Sequence, residues 1–127
     1  MGGRYRILVV DDDPKALLLT EAILKRHGYD AVLINHGRQT IQTARKEKPD
    51  LILLDIMMPF EDGYTILKKI KQEETIKNIP VVMVTALELD GNKVFASICG
   101  ASAYITKPIN SKLLIETIAQ FLPNSTS

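Results

Sequence analysis

Five short apolar runs punctuate the chain: RILVV (6–10), AVLI (31–34), LILLD (51–55), PVVMVT (80–85) and AYIT (103–106). Most are continuously hydrophobic rather than alternating, the pattern of strands covered on both faces. Segments with helical spacing and helical punctuation separate them. In the first, Asp13 reads as the N-cap, Pro14 as the first helical residue, and Gly28 as the left-handed residue past the end, after Lys25, Arg26 and His27. The spacing predicts a second helix over about 37–48, stopped by Pro49, and a third from Asp62 or Gly63 with Ile66, Leu67 and Ile70 on one face. A fourth, over about 89–98, has no clean apolar stripe, and a fifth runs from Asn110 or Ser111 to Phe121, before Pro123. On the first helix Ala16, Leu19, Ile23 and Leu24 are expected to face inward, leaving Leu18 and Ala22 pointing away. Five strand–helix units in alternation imply a three-layer α/β domain: a parallel sheet, helices on both faces and right-handed crossovers. The chain of 127 residues is expected to form a single domain over 1–127, with its core at about 5–122 and a short polar tail.

Composition narrows the class. With 46% hydrophobic and 24% charged residues, and 16 basic against 15 acidic side chains, the chain has a net charge of +1. Such a balance exerts no global pull on nucleic acid, so no nucleic-acid contact is expected from this domain. One cysteine, Cys99, excludes an internal disulfide and any multi-cysteine metal site, and reads as a small buried apolar residue suited to a reducing compartment. No signal-type apolar region and no apolar run of about 18 residues is present. Met1-Gly2 resembles a myristoylation start, but Arg6 stands where Ser or Thr is required. These features predict a cytoplasmic protein that does not contact the membrane.

Chemistry gathers where the strands end. The first apolar run ends at Asp11 and Asp12, the third at Asp55, the fourth at Thr85, and the fifth is followed by Lys107-Pro108. In a parallel sheet these carboxyl ends share one rim, where ligands bind. Carboxylates with room for water suit Mg²⁺, which keeps several waters and pairs with phosphate oxygens. Lys107 supplies a point charge for a phosphoryl oxygen, and the Thr85 hydroxyl donates a hydrogen bond. Phosphoryl transfer asks mainly for positioning and charge neutralisation. No histidine or cysteine lies at these strand ends, so the nucleophile would be a carboxylate forming an aspartyl phosphate. Asp55 is the candidate, standing alone where Asp11 and Asp12 can hold a metal. Taken singly, each residue has a plainer reading. Asp11 and Asp12 equally suit a solvated acidic turn, Thr85 a strand residue, Lys107 a solvated cation and Tyr104 half-buried packing. His27 and His36 suit surface or helix-end roles.

The segments VVDDDP, LILLDIMMPFEDG, VVMVTA and YITKP together resemble the four signatures of the response-regulator receiver domain, the CheY-like module of two-component phosphorelay signalling, and occur in its order along the whole chain. That resemblance implies a flavodoxin-like sheet of order 2-1-3-4-5. It implies that Asp55 is the phosphoacceptor, and that Asp11, Asp12, Asp55 and the backbone carbonyl of Met57 hold Mg²⁺ (or Mn²⁺). Thr85 and Lys107 would contact the phosphoryl group, the Lys107–Pro108 peptide bond would be cis, and Tyr104 would turn inward as Thr85 moves. The implied donor is a histidine kinase or histidine phosphotransfer protein, and exposed Leu18 and Ala22 would suit docking of its helix. The implied readout is a change on the face of the fourth helix, fifth strand and fifth helix, seen by an unidentified output partner. The module would be a regulatory switch rather than an enzyme, and dimerisation on phosphorylation is left open. Two departures stand out: Phe60-Glu61 replaces a small flexible pair, and Asp13 suits an N-cap rather than a third metal ligand. Met57 and Leu87 would flank the site with apolar bulk, slowing hydrolysis. The chain ends soon after its last helix, which suits either a stand-alone regulator or a segment cut from a longer one.

Two rival classes are weaker. A haloacid-dehalogenase-type phosphatase would use Asp11 as nucleophile within Asp11-Asp12-Asp13, with Thr85 and Lys107 in supporting roles. Pro14 stands where that family has Thr or Val, no acidic pair follows Lys107, and the chain is short for its core. A flavin-binding flavodoxin would need a Ser/Thr/Gly-rich phosphate loop after the first strand, where this chain has three carboxylates.

Overall fold

The computed structural model describes residues 4–58, 62–86 and 99–123. The helix predicted over 89–98, Leu87, the Phe60-Glu61 pair and residues 124–127 lie outside the described residues. Five strands, β1 (Arg6–Val10), β2 (Asp30–Ile34), β3 (Leu51–Asp55), β4 (Val81–Thr85) and β5 (Ala103–Thr106), form one sheet. All neighbours pair in parallel, in the order β2-β1-β3-β4-β5. This is the flavodoxin-like order expected from the sequence. The described helices are α1 (Pro14–Arg26), α2 (Thr40–Glu47), α3 (Gly63–Gln72) and α4 (Ser111–Phe121). A single 3₁₀ turn, Gly37–Gln39, leads into α2.

Local chemistry sets the helix starts. Asp13 Oδ1 accepts from the Lys15 amide (3.0 Å), Asp62 Oδ1 from the Thr65 amide (2.9 Å) and Asn110 Oδ1 from the Leu113 amide (3.0 Å). Each cap satisfies an amide that the first helical turn leaves without an internal partner. Pro14 occupies the first turn of α1, and Gly28, at φ +87°, turns the chain out of that helix into β2.

Strand side chains alternate between two apolar layers. Leu8, Val10, Ile52, Leu54 and Met83 pack with Ala44 of α2 and Ile66, Leu67 and Ile70 of α3. Ile7, Val9, Leu53, Val82 and Val84 pack with Leu17 and Leu24 of α1 and Leu114 and Ile118 of α4. Every residue of β3 and β4 is buried, which accounts for their unbroken apolar sequence. At the far end of the sheet the Tyr5 hydroxyl donates to the Pro123 carbonyl (2.9 Å), tying the start of the described chain to its end.

One expectation is overturned on α1. Leu19, assigned inward, is 53% exposed, whereas Leu17, Thr20 and Leu24 are buried and Ala16 and Ile23 half-buried. Leu17-Leu18-Leu19 is apolar at three successive positions, so hydrophobicity gives that turn no unique phase. The inward stripe runs through a threonine that polarity alone would have put outside. Leu18 (63% exposed) and Ala22 do face away from the core. Cys99 is half-buried against the α2–α3 layer rather than fully enclosed. The His27 ring shares a hydrogen bond with the Ile23 carbonyl (2.9 Å) at the end of α1.

The corrected phase has a direct consequence. Leu17→Ala should cost about 2–4 kcal/mol in equilibrium unfolding, because it opens a cavity in a packed layer. Leu19→Ala should change stability by less than about 0.5 kcal/mol, as an exposed substitution does. Urea titrations of the two variants distinguish the phases.

Candidate functional site

Strand register assembles the site. Val10 pairs with Leu54, so Asp11 leaves β1 beside Asp55, the last residue of β3. Asp55 pairs with Val84, and Thr85, one position on, pairs with Thr106. Lys107 follows immediately, its amide donating to the Thr85 carbonyl (2.7 Å). The rim of a five-stranded sheet thus brings together acids, a hydroxyl and an ammonium from distant parts of the chain.

The side chains converge. Lys107 Nζ lies 2.8 Å from Asp11 Oδ2 and 3.4 Å from Asp55 Oδ2, bridging two carboxylates that are 5% and 4% exposed. Carboxylate oxygens of Asp11, exposed Asp12 and Asp55 all fall within 4.8 Å of one another. Among the described residues, three clustered carboxylates share one bridging ammonium, which leaves an excess of negative charge. The donor set is oxygen only, as hard divalent cations prefer, and its spacing is within reach of a small octahedral ion with some ligands bridged by water.

Backbone groups fix the carboxylates. The Met57 amide donates to Asp55 Oδ1 (3.1 Å) and the Asp13 amide to Asp11 Oδ1 (2.9 Å). Met57 thus lies next to Asp55 in the loop while its side chain is 59% exposed. Thr85 is fully buried at the end of β4. Tyr104, paired with Met83, is half-buried against the α2–α3 layer. The Lys107–Pro108 peptide bond is cis. Asp13 serves as the α1 cap, and it is not among the clustered acids.

Gly63 is a site residue that the sequence revealed only as a helix start. Its amide donates to the Ile56 carbonyl (2.9 Å), and a Cβ there would lie 2.6 Å from the Asp55 carbonyl oxygen and 2.8 Å from Ile56 Cα. The first turn of α3 is therefore seated directly on the backbone that carries Asp55, at a separation only glycine permits. An Asp-Gly pair soon after an acidic strand end was the available signal.

Electrostatics follow from this crowding. Burial, then the neighbouring charge of Asp11, pushes the Asp55 carboxyl from its ordinary 3.8 up to about 6, against the opposing pull of Lys107 and the Met57 amide. Burial works to lower the Lys107 ammonium, but its hydrogen bond to Asp11 and the charges of Asp55 and Asp11 outweigh this and raise it. Folding thus favours protonation of Asp55 relative to the unfolded chain, while above about pH 6 the carboxylate still predominates. The associated stability is fully present below about pH 4 and is lost as pH rises through about 6, a span of about 2–3 kcal/mol. Asp55→Asn should therefore raise the melting temperature at pH 7.5 by roughly 5–10 °C, with the gain shrinking toward pH 4.5. Mg²⁺ should stabilise the wild type more than Asp55→Asn. Thermal melts across pH, with and without the metal, check both outcomes.

Comparison with known proteins agrees with this geometry. The profile of the response regulator receiver domain matches residues 7–119. The chain is 35% identical over 113 residues to the protein PilH of Pseudomonas aeruginosa, covering 89% of this chain and 93% of that one. It is 33% identical to the polar-differentiation response regulator DivK of Brucella anthropi, covering 91% and 94%. It is 40% identical to the response regulator PleD of Caulobacter vibrioides, but spans only 25% of that longer protein. Among solved structures, the BeF3-activated receiver domain of Klebsiella pneumoniae RstA superposes with a TM-score of 0.86 at 34% identity, covering 94% of this chain and 99% of that one. The chemotaxis protein CheY4 of Vibrio cholerae gives 0.88 at 25% identity, with the same coverages. With five parallel strands in the flavodoxin-like order and an acidic cluster at their carboxyl rim, the chain belongs to the response regulator receiver domain family, the regulatory signalling module of two-component systems.

Proposed function

We propose that the chain, as a single receiver module over 1–127, is a phosphoacceptor switch in which Asp55 takes a phosphoryl group from a phosphohistidine of a histidine kinase or histidine phosphotransfer protein. The observation that carries this reading is the Lys107 ammonium held between Asp11 and Asp55, within a cluster of three carboxylates. An Asp55 oxygen attacks phosphorus in line; the P–O bond forms as the P–N bond to the donor histidine breaks. Lys107 then follows the phosphoryl oxygens, exchanging a carboxylate partner for a more highly charged one, and the Thr85 hydroxyl donates to the same group. Asp11, Asp12, Asp55 and the Met57 carbonyl would hold Mg²⁺ (or Mn²⁺), which supplies neutralisation of the transferring group's charge. Hydrolysis by water later breaks the Asp55–phosphoryl bond and returns the carboxylate.

The readout is a shift in population, with Tyr104 turning inward as Thr85 moves. The face that changes is the one with β5 and α4, together with the helix that the sequence predicts over about 89–98, a segment outside the described residues. Through that face the module controls an output partner. Donor docking uses the outer face of α1. Exposed Leu18 and Ala22 stand there, joined by exposed Leu19. Leu19, Ala16, Lys107, Pro108 and Ile109 line an adjoining cleft of about 230 Å³. An apolar face running up to the reactive rim suits a helix that presents a phosphohistidine. The module works in the cytoplasm, where such donors are found, and itself contacts neither nucleic acid nor membrane. No described helix is long and apolar enough to cross a membrane.

Acetyl phosphate with Mg²⁺ should give a base-labile, acid-stable adduct on the wild-type protein. Asp55→Asn should reduce labelling more than about 100-fold, and Asp11→Asn should slow it roughly 10-fold or more through loss of metal. Labelling retained in Asp55→Asn but abolished in Asp11→Asn would instead assign the nucleophile to Asp11, as a haloacid-dehalogenase-type phosphatase requires.

A further inference from the structure

Beneath the acidic rim, on the side of the sheet covered by α1 and α4, Thr20 meets Asp11 and Asp55 in one small pit otherwise walled by valine, leucine and isoleucine. Thr20 is 2% exposed and occupies the inward stripe of α1 between Leu17 and Leu24. A valine would fill the same space at that position without bringing a polar atom into an apolar layer. The water-accessible volume of the pit is about 10 Å³. That is the scale of a single water, provided two to four polar partners surround it. Of the residues that line it, Thr20 carries a hydroxyl and Asp11 and Asp55 carry carboxylates, groups able to serve as such partners. Both carboxylates keep acceptor capacity: each takes one backbone amide on Oδ1 and shares Lys107 on Oδ2.

We infer that this pit binds one water molecule and that Thr20 is a positioning residue, orienting Asp55 and Asp11 through that water from the core side. The inference deepens the proposed function and rests on it for the role of Asp55, though not for the water site itself. The Met57 and Asp13 amides and Lys107 already hold one part of each carboxylate. A donor arriving from below fixes the remaining rotation of the carboxylate planes. Metal affinity is sensitive to such outer contacts, whose removal typically costs 10–100-fold.

Isothermal titration of Mg²⁺ into the wild type, Thr20→Val and Thr20→Ser, with crystal structures of the wild type and Thr20→Val at better than about 1.5 Å, tests this. Thr20→Val keeps the packed shape and removes the hydroxyl; Thr20→Ser keeps the hydroxyl. The expected result is an ordered water between Thr20 and the carboxylates that is missing from Thr20→Val. With it should come a 5- to 20-fold weaker Mg²⁺ affinity in Thr20→Val, restored to within twofold in Thr20→Ser. A dry pit in the wild type overturns the inference. So does Mg²⁺ affinity unchanged in Thr20→Val, or affinity lost equally in Thr20→Ser, which would mark a packing role. The titration involves no phosphoryl transfer, so a failure of the Asp55 acceptor assignment in labelling leaves this result readable.

Discussion

Excess negative charge held at one rim of a buried sheet is the constraint from which the rest follows. Asp11 and Asp55 are almost fully enclosed, Asp12 stands beside them, and one ammonium, Lys107, serves two of the three. Like charges this close and this poorly hydrated resist ionising together, and burial with the Asp11 charge drives the Asp55 carboxyl up to about 6. The site is thus tense by construction. A bound divalent cation would relieve it, and under the proposed function a phosphoryl group on Asp55 would alter which acid Lys107 serves. A switch needs two arrangements of comparable energy, and in the proposed function the under-neutralised cluster would supply them.

Holding such a cluster requires a rigid frame, and the fold provides one without special devices. Two apolar layers clamp β3 and β4 on both faces, so the ends of these strands are fixed to within the register of the sheet. Backbone amides of the following loops then aim the carboxylates, from Asp13 onto Asp11 and from Met57 onto Asp55. Gly63 completes the frame by letting α3 sit against the Asp55 backbone at a distance any Cβ would forbid. The acids are therefore placed by main-chain geometry, which leaves exposed side chains such as Met57, Leu18 and Leu19 available to vary without moving the chemistry.

Much of this was legible in the sequence because several independent signals agreed. The caps Asp13, Asp62 and Asn110, the break at Gly28, and the apolar runs all pointed to alternating strands and helices, and the helices begin at those caps. Once the strands were parallel, the acids and Lys107 had to share a rim, because each stands at or just past the carboxyl end of a strand. What stayed hidden depended on the third dimension. Three consecutive leucines concealed the phase of α1, so Leu19 was assigned inward in place of Leu17. Thr20 looked like an ordinary polar helical residue, although it is buried directly below the site. Gly63 showed its position but not its close approach to Asp55, since no local pattern encodes a contact between α3 and the preceding strand.

Relatives of very different length carry this module: it spans nearly all of PilH and DivK but a quarter of PleD. In this chain the module carries the charged rim described above, and the defining property of that rim is open to direct observation. Carboxyl-detected NMR of ¹³C-labelled protein would follow Asp55 through a pH titration, first without divalent metal and then with Mg²⁺. The account predicts an Asp55 midpoint near 6 in the metal-free protein, moving downward when Mg²⁺ is added. An Asp55 midpoint near the ordinary 3.8, insensitive to Mg²⁺, would contradict it.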